Sequence, residues 1–219
     1  MRKILYLFVV SAVLAACVPV QQETGQVKGI IPAPAVAPVV TTKPGETSPD
    51  VKPESALKIA NFDSGSAPNL LGGGFGAWDK DPNDDTQTCV ESFESRGDGY
   101  CLKLTYDVDS PNPAYNGFWM KLENLNASGY KTFVFSVRGD AKAGFTKRFK
   151  IELKNSRGEV GKVYVSGITG DWQQKAIPLG SFIGLTDLKE LTEWTVVFED
   201  RVSDPKTGVI YVDDIWLSK

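Results

Sequence analysis

The feature that most constrains the fold is an alternation of apolar and polar side chains that recurs from residue 102 onward. In segment 102–106, two leucines and a tyrosine alternate with lysine and threonine, and segments 118–123, 133–138 and 149–154 repeat the pattern. A period of two residues places successive side chains on opposite faces of a β-strand. Each segment is therefore predicted to form a strand with one buried and one solvated face.

Two further strands are predicted at Trp194–Glu199 and Val209–Leu217, and the sequence NSRG at Asn155–Gly158 is typical of a hairpin turn. One short helix is predicted at Ser181–Leu191. Many short strands separated by turn residues favour an all-β fold. The predicted architecture is a two-sheet β-sandwich, most simply a jelly roll.

The first residues are typical of a secretory signal. Arg2 and Lys3 precede an apolar run, Ile4–Val13, that is too short to span a membrane. The run ends in LAAC at Cys17, which resembles the lipobox of bacterial lipoproteins and implies diacylglycerol on Cys17. The alternative is an ordinary signal with an incidental cysteine. Val18, in place of the aspartate that marks inner-membrane retention, favours the outer membrane or cell surface.

The chain is therefore divided into a signal peptide at 1–16, a lipidated cysteine with its linker at 17–56, and a folded domain at 57–219. Residues 18–56 contain seven prolines and no aromatic residue. Such a segment buries too little apolar surface to offset its ordering entropy, which predicts a disordered tether. The remaining residues are enough for one domain with its own core.

Composition excludes several functions. The chain has no histidine, which rules out Ser-His-Asp or Cys-His catalysis and histidine-based metal centres. Its net charge is −3 with no basic block, so nucleic-acid binding has little support. Cys89 and Cys101 flank the turn sequence RGDG, and an exported protein permits a disulfide between them. Closing that loop would stabilise the fold by about 2.5–3 kcal/mol.

Candidate binding residues follow from the alternation. If Phe118 and Met120 face the core, Trp119 faces outward beside Lys121. An outward indole among charged groups suits a sugar, because the ring stacks on C–H faces and the polar groups bind hydroxyls. The alternative is a Trp119 half-covered by the preceding loop, in which Tyr115 either stacks on a ligand or braces the loop.

By the same reasoning other polar side chains point outward from their strands. The predicted ligand-binding set is Tyr115, Trp119, Lys121, Arg138, Lys150 and Glu152.

The folded segment also resembles a known family. The motifs that carry the resemblance occur in this order: NFDSG, LLGGGFGAWDKDPND, GFWMKLE, FVFSVRGD, FKIELKNSRGE, DWQQKAIPL and IYVDDIWL. Together they resemble carbohydrate-binding modules of family 11, which are galactose-binding-like jelly rolls. The jelly roll of complex I intermediate-associated proteins has a similar outline.

The resemblance implies a structural calcium ion that ties the first strand to the last. The residues implied are Asp63 together with Asp213 or Asp214, since neighbours on a regular strand point to opposite faces.

The leading functional prediction is a non-catalytic, lipid-anchored protein of the cell envelope that binds a β-glucan-like polysaccharide or oligosaccharide. One rival is an envelope assembly or scaffold protein of the complex I intermediate-associated type. The other is a glycosidase that uses two carboxylates among Glu123, Glu152 and Glu199.

Overall fold

A computed structural model describes residues 39–40 and 56–219. The strands are β1 (Val39–Val40), β2 (Leu57–Ala60), β3 (Phe75–Asp79), β4 (Thr88–Arg96), β5 (Gly99–Asp107), β6 (Tyr115–Leu125), β7 (Thr132–Gly139), β8 (Arg148–Asn155), β9 (Val160–Ser166), β10 (Gln173–Pro178), β11 (Leu191–Glu199) and β12 (Thr207–Ser218). A 3₁₀ turn, Leu179–Ser181, follows β10.

The strands form two sheets. The first has the order β1-β9-β8-β11-β6-β3, and the second has the order β10-β7-β12-β5-β4, with β2 paired to β12. All pairs are antiparallel except β1 with β9. The predicted all-β sandwich of jelly-roll type is confirmed.

The core lies between the sheets, where the alternation predicted it. Phe118, Met120 and Leu122 are buried on β6, and the same alternation holds on β5 and β8. On β7 both faces are buried from Phe133 to Val137. Rings from the two sheets meet across the core: Phe133 lies 5.6 Å from Trp194 between ring centroids. Apolar burial on one face of each sheet is thus the main force that holds the sandwich together.

The helix predicted at Ser181–Leu191 is wrong. Between the 3₁₀ turn and β11, residues 182–190 form a loop in which Phe182 is buried and Ile183 pairs with Lys162 of β9. Gly184 has φ +98°, a conformation that L side chains rarely adopt and that is incompatible with a helix. Its apolar residues therefore serve tertiary packing rather than a helical face.

The predicted disulfide is also wrong. Cys89 pairs with Tyr106 across the β4–β5 hairpin. Tyr106 lies five residues from Cys101 along β5, so the two cysteines are about 17 Å apart. A disulfide requires Cα atoms within about 7 Å. Cys89 belongs to the main core, while Cys101 belongs to a separate buried cluster together with Val209 and Tyr211. Both thiols are free and buried, and burial raises the pKa of each.

The predicted signal peptide and Cys17 lie outside the described residues. Of the predicted tether, only Val39–Val40 and Ala56 are described, and the two valines pair with Tyr164 and Val165 of β9. Within the described part of the chain, no helix has the length and apolar character needed to cross a membrane.

Candidate functional site

An open cleft of about 520 Å³ lies on the outer face of the first sheet. Four strands contribute to it: β3, β6, β11 and β8. Its lining residues are Trp78, Tyr115, Trp119, Lys121, Lys150, Glu152, Lys154, Glu193, Thr195 and Val197.

Strand register explains why these side chains share one surface. Thr195 of β11 lies between Trp119 of β6 and Glu152 of β8, as their direct partner in both strand pairs. Positions two residues away on each strand point to the same face. The alternation that buries one set of side chains therefore assembles the cleft from the other set.

One wall of the cleft is aromatic. Trp119 pairs with Gly76 of the edge strand β3, and a Cβ at Gly76 would lie 3.4 Å from the indole. The ring thus lies against a bare stretch of backbone and forms part of the cleft lining. Trp78 pairs with Gly117, and its ring meets that of Tyr115 edge-on at 5.8 Å.

The opposite wall is charged, and its charges are paired. Glu193 accepts hydrogen bonds from Lys121 at 2.5 Å and Lys154 at 2.6 Å. Lys150 lies 3.2 Å from Glu152 and 2.9 Å from Glu199. The wall therefore offers both ammonium donors and carboxylate acceptors, while its net charge stays small.

The ion pairs shift the pKa values of their members. Burial alone would raise the pKa of Glu193, but the hydrogen bonds from Lys121 and Lys154 outweigh it and hold that pKa below its usual value. Burial would lower the pKa of Lys150, but its bonds to the two glutamates raise it. Both groups are therefore charged at neutral pH.

Two polar atoms of the lining lack partners. The Oγ1 of Thr195 and the Nε1 of Trp78 are buried, and neither has a hydrogen-bond partner among the residues that the structure describes. Buried polar groups are rarely left in this state. Both atoms belong to side chains that line the cleft, so a bound ligand is a natural candidate to satisfy them.

The structure brings five of the six predicted ligand-binding residues to this cleft: Tyr115, Trp119, Lys121, Lys150 and Glu152. Trp119 is half-buried and faces away from the core as predicted, and Tyr115 is 43% exposed. That they bind a sugar stays a prediction.

Arg138 is the exception, because the structure places it outside the cleft and not on the surface that holds Trp119. It lies on β7 of the second sheet, with its guanidinium 3.9 Å from the ring centroid of Tyr211 and 3.8 Å from a carboxylate oxygen of Glu94. Alternation shows which side chains point outward from a strand. It does not show which sheet the strand joins.

Five lining residues were missed by the sequence-based prediction: Trp78, Lys154, Glu193, Thr195 and Val197. Lys154 continues the alternation of its predicted strand, and Glu193 and Thr195 flank the buried Trp194. That signal was sufficient to place these three outward. Trp78 lies in a glycine-rich segment without alternation, so only the observed pairing of β3 with β6 reveals it.

The residues predicted to bind calcium do not fit a cation site as they stand. Asp213 and Asp214 both bind the guanidinium of Arg96. A bulge in β12, with Asp214 at φ +45°, brings both carboxylates to this guanidinium. The expectation that the two aspartates point to opposite faces is therefore wrong. Asp63, which is exposed, binds Asn61.

Across residues 56–219, no three acidic or cysteine side chains are grouped to hold a metal ion. Calcium therefore stays a prediction, and melting with and without chelator would test it.

Comparison with known proteins identifies the family of the domain. The family model for the carbohydrate-binding domain of family 11 matches residues 47–192. No curated protein matches the chain.

Solved structures share the fold. A family 11 carbohydrate-binding module from Clostridium thermocellum, in complex with a β-1,3-1,4-mixed-linked tetrasaccharide, is 18% identical with a TM-score of 0.56, covering 75% of this chain and 95% of its own. The family 11 module of a cellulosomal cellulase from the same organism is 17% identical with a TM-score of 0.55, covering 74% and 94%. An exo-β-agarase is 11% identical with a TM-score of 0.52, covering 74% and 25%. With its sandwich, its open cleft and its family match, the chain belongs to the family 11 carbohydrate-binding domains.

Proposed function

We propose that this protein is a non-catalytic, lipid-anchored cell-envelope protein whose cleft binds a β-glucan-like polysaccharide or oligosaccharide. The observation that carries the proposal is the aromatic wall of the cleft facing a wall of paired charges, within a domain of family 11. Sugars present C–H faces and hydroxyl groups on the same ring. The two walls match those two kinds of surface.

Trp119 is the anchor of the proposed binding mode. Its ring lies against the backbone of Gly76 and lines the cleft, and we expect a pyranose to stack on it. Lys121, 5.4 Å from the ring centroid, lies within reach of the hydroxyls of a stacked sugar. An immobile apolar ring with adjacent polar groups fixes both the position and the orientation of a ligand.

The charges of the cleft favour an uncharged glycan. Each ammonium group in the lining is already bonded to a carboxylate, as is each carboxylate to an ammonium. A uronic acid or a sulfated sugar would have to compete with these pairs, whereas a neutral hydroxyl can donate to and accept from them. The Clostridium thermocellum module is in complex with a β-1,3-1,4-mixed-linked tetrasaccharide, which supports a β-glucan-like ligand.

The arrangement of carboxylates supports a binder rather than a glycosidase. A glycosidase holds the scissile bond between two carboxyl groups. Here Lys150 is bonded to both Glu152 and Glu199, and its ammonium occupies the space between them. Glu123, the third candidate, is exposed near the end of β6 and does not line the cleft.

The test of glycan binding is isothermal titration of the purified chain with a β-1,3-1,4-mixed-linked glucan tetrasaccharide. Affinity electrophoresis in mixed-linkage glucan, xylan and agarose extends the test to other neutral polysaccharides. We expect saturable binding to the mixed-linkage glucan. Unchanged mobility in every gel, together with no heat of binding, would contradict the proposal.

The lipid anchor is proposed from the sequence LAAC at 14–17 and the proline-rich segment that follows it. Its test is the variant Cys17→Ser, followed by fractionation of the expressing bacterium. We expect the wild type in the detergent phase with the membranes and the variant in the soluble exported fraction. An unchanged membrane location for the variant would contradict the anchor.

A further inference from the structure

Thr195 of β11 lies between the two walls of the cleft, at its floor, and its hydroxyl is buried. The residue is 2% exposed, and its Oγ1 has no hydrogen-bond partner among the described residues. Its direct neighbours in the sheet are Trp119 on one side and Glu152 on the other. The hydroxyl thus lies between the aromatic wall and the charged wall.

A threonine is a poor choice for this position if stability alone matters. A buried hydroxyl without a partner lowers stability, whereas valine has the same shape and no polar atom. Val197, two residues along the same strand and on the same face, shows that this floor accommodates valine. The threonine therefore costs stability that an isosteric residue would not.

We propose that Thr195 is a specificity-determining residue whose hydroxyl binds one ring hydroxyl of the sugar stacked on Trp119. This inference rests on the proposed function of the cleft. Thr195 is part of the cleft lining, and the neighbouring Lys121 is exposed, as are side chains that change rotamer on the picosecond-to-nanosecond timescale. A ligand hydroxyl that reaches Thr195 supplies the partner that the free protein lacks.

The proposal predicts effects of opposite sign on stability and on binding. Removing the hydroxyl with Thr195→Val relieves an unsatisfied group in the free domain, so the melting temperature rises. The same change removes a hydrogen bond from the complex, so affinity falls by about three- to tenfold. A purely structural threonine would not show this combination, since its loss would lower stability and leave affinity alone.

Thr146 provides a matched control. It is also fully buried, but its Oγ1 donates to the carbonyl of Arg148 at 2.7 Å and accepts from the backbone N–H groups of Arg148 and Asp204, both at 3.2 Å. It does not line the cleft. Thr146→Val should therefore lower the melting temperature and leave glycan affinity unchanged.

The experiment measures melting temperature and affinity for the β-1,3-1,4-mixed-linked glucan tetrasaccharide in the full chain and in Thr195→Val, Thr195→Ser and Thr146→Val. We expect Thr195→Val to melt higher and bind more weakly, and Thr195→Ser, which keeps the hydroxyl, to retain most of the affinity. Equal affinity of the wild type and Thr195→Val would overturn the inference alone. So would a lower melting temperature of Thr195→Val, its failure to fold, or equal losses of affinity in Thr195→Val and Thr195→Ser. A wild type that binds neither the tetrasaccharide nor any polysaccharide tested would instead overturn the proposed function itself, and with it this inference.

Discussion

The cleft and the outer face of the second sheet are built from the same kinds of side chain, yet they differ in how those side chains are used. On the outer face of the second sheet, the rings of Trp172 and Tyr211 lie among Arg96, Arg138 and Glu94. We call these five residues the outer cluster. Arg96 lies 4.1 Å from the centroid of Trp172, and Arg138 lies 3.9 Å from that of Tyr211. In the cleft, the ammonium of Lys121 lies farther from its ring, 5.4 Å from the centroid of Trp119.

Hydrogen bonding separates the two surfaces more sharply. The hydroxyl of Tyr211 contacts carboxylates of both Glu94, at 3.1 Å, and Asp140, at 2.9 Å. No residue of the outer cluster is among the buried unpaired groups found in residues 56–219, whereas the cleft contributes Thr195 and Trp78. Aromatic rings beside charges are thus a common surface arrangement. Unpaired buried groups also occur outside the cleft, at Asn116, Arg148, Ser166, Trp194 and Ser203, so the cleft differs from the outer cluster in joining such groups to an open surface.

The largest effect, on glycan binding, is expected when one tryptophan on each surface is replaced by alanine. Trp119→Ala removes the stacking ring, so glycan binding should weaken by about 1–3 kcal/mol, as for other aromatic anchors. Trp172→Ala should leave binding unchanged. Titration calorimetry of both variants with the mixed-linked tetrasaccharide measures the difference.

Melting of the same variants provides the control. Trp119→Ala should cost less than the roughly 3–5 kcal/mol expected for a fully buried tryptophan such as Trp194. If Trp119→Ala unfolds as readily as Trp194→Ala and the parent binds no glycan, the ring belongs to the core and the two surfaces do not differ in function.

A smaller effect is expected from cations on the two surfaces. Arg138→Ala loses its contacts with Tyr211 and Trp172, which should lower the free energy of unfolding by about 0.5–2 kcal/mol. Its glycan affinity should stay at the wild-type value. Lys150→Ala, in the cleft wall, should instead weaken binding by about 1–2 kcal/mol, because a charged hydrogen bond to the sugar is lost. Denaturant unfolding and calorimetry together distinguish the two, and weaker binding by Arg138→Ala would show that the outer cluster takes part.

The smallest effect is expected in the pH dependence of stability. The pKa of Glu193 is lowered in the folded cleft, so this group stabilises the protein above its unfolded pKa of about 4.3 and loses that contribution as pH falls through its folded pKa. The melting temperature of Glu193→Gln should thus lie below the wild type at pH 7 and approach it below about pH 4.

Asp213 of the second sheet should behave in the opposite way. Burial raises its pKa despite the hydrogen bond from Arg96, so its protonation stabilises the fold below its unfolded pKa and that gain is lost as pH rises through the folded pKa. The melting temperature of the wild type should therefore rise relative to that of Asp213→Asn as pH falls from 7 towards 4. Melting curves of both variants across that range test the contrast, and slopes of the same sign would contradict it.

The fold was largely predictable from the sequence, because alternation reports directly on burial. The strands around Leu104, Met120, Phe135 and Ile151 form as predicted, with those side chains buried. The segment around Gly184 was misassigned because apolar residues that pack from a loop have no period.

The site was predictable only in part. Trp119 and Lys150 could be assigned to a solvated face, but Arg138 was assigned to the wrong sheet and Trp78 was overlooked. Sheet order and register depend on contacts between residues far apart in sequence, and local patterning does not record them. The same limit explains the cysteines, whose distance is set by hairpin register, and Asp213 and Asp214, whose direction is set by a bulge.

The most direct test of the account is to observe the indole N–H signals of the tryptophans by ¹⁵N NMR while the mixed-linked glucan tetrasaccharide is titrated. Trp78 and Trp119 line the cleft, Trp172 lies in the outer cluster, and Trp194 is buried in the core. We predict that the signals of Trp78 and Trp119 shift and saturate together, while those of Trp172 and Trp194 stay in place. Saturable shifts at Trp172, with Trp78 and Trp119 unchanged, would contradict the assignment of the binding site to the cleft.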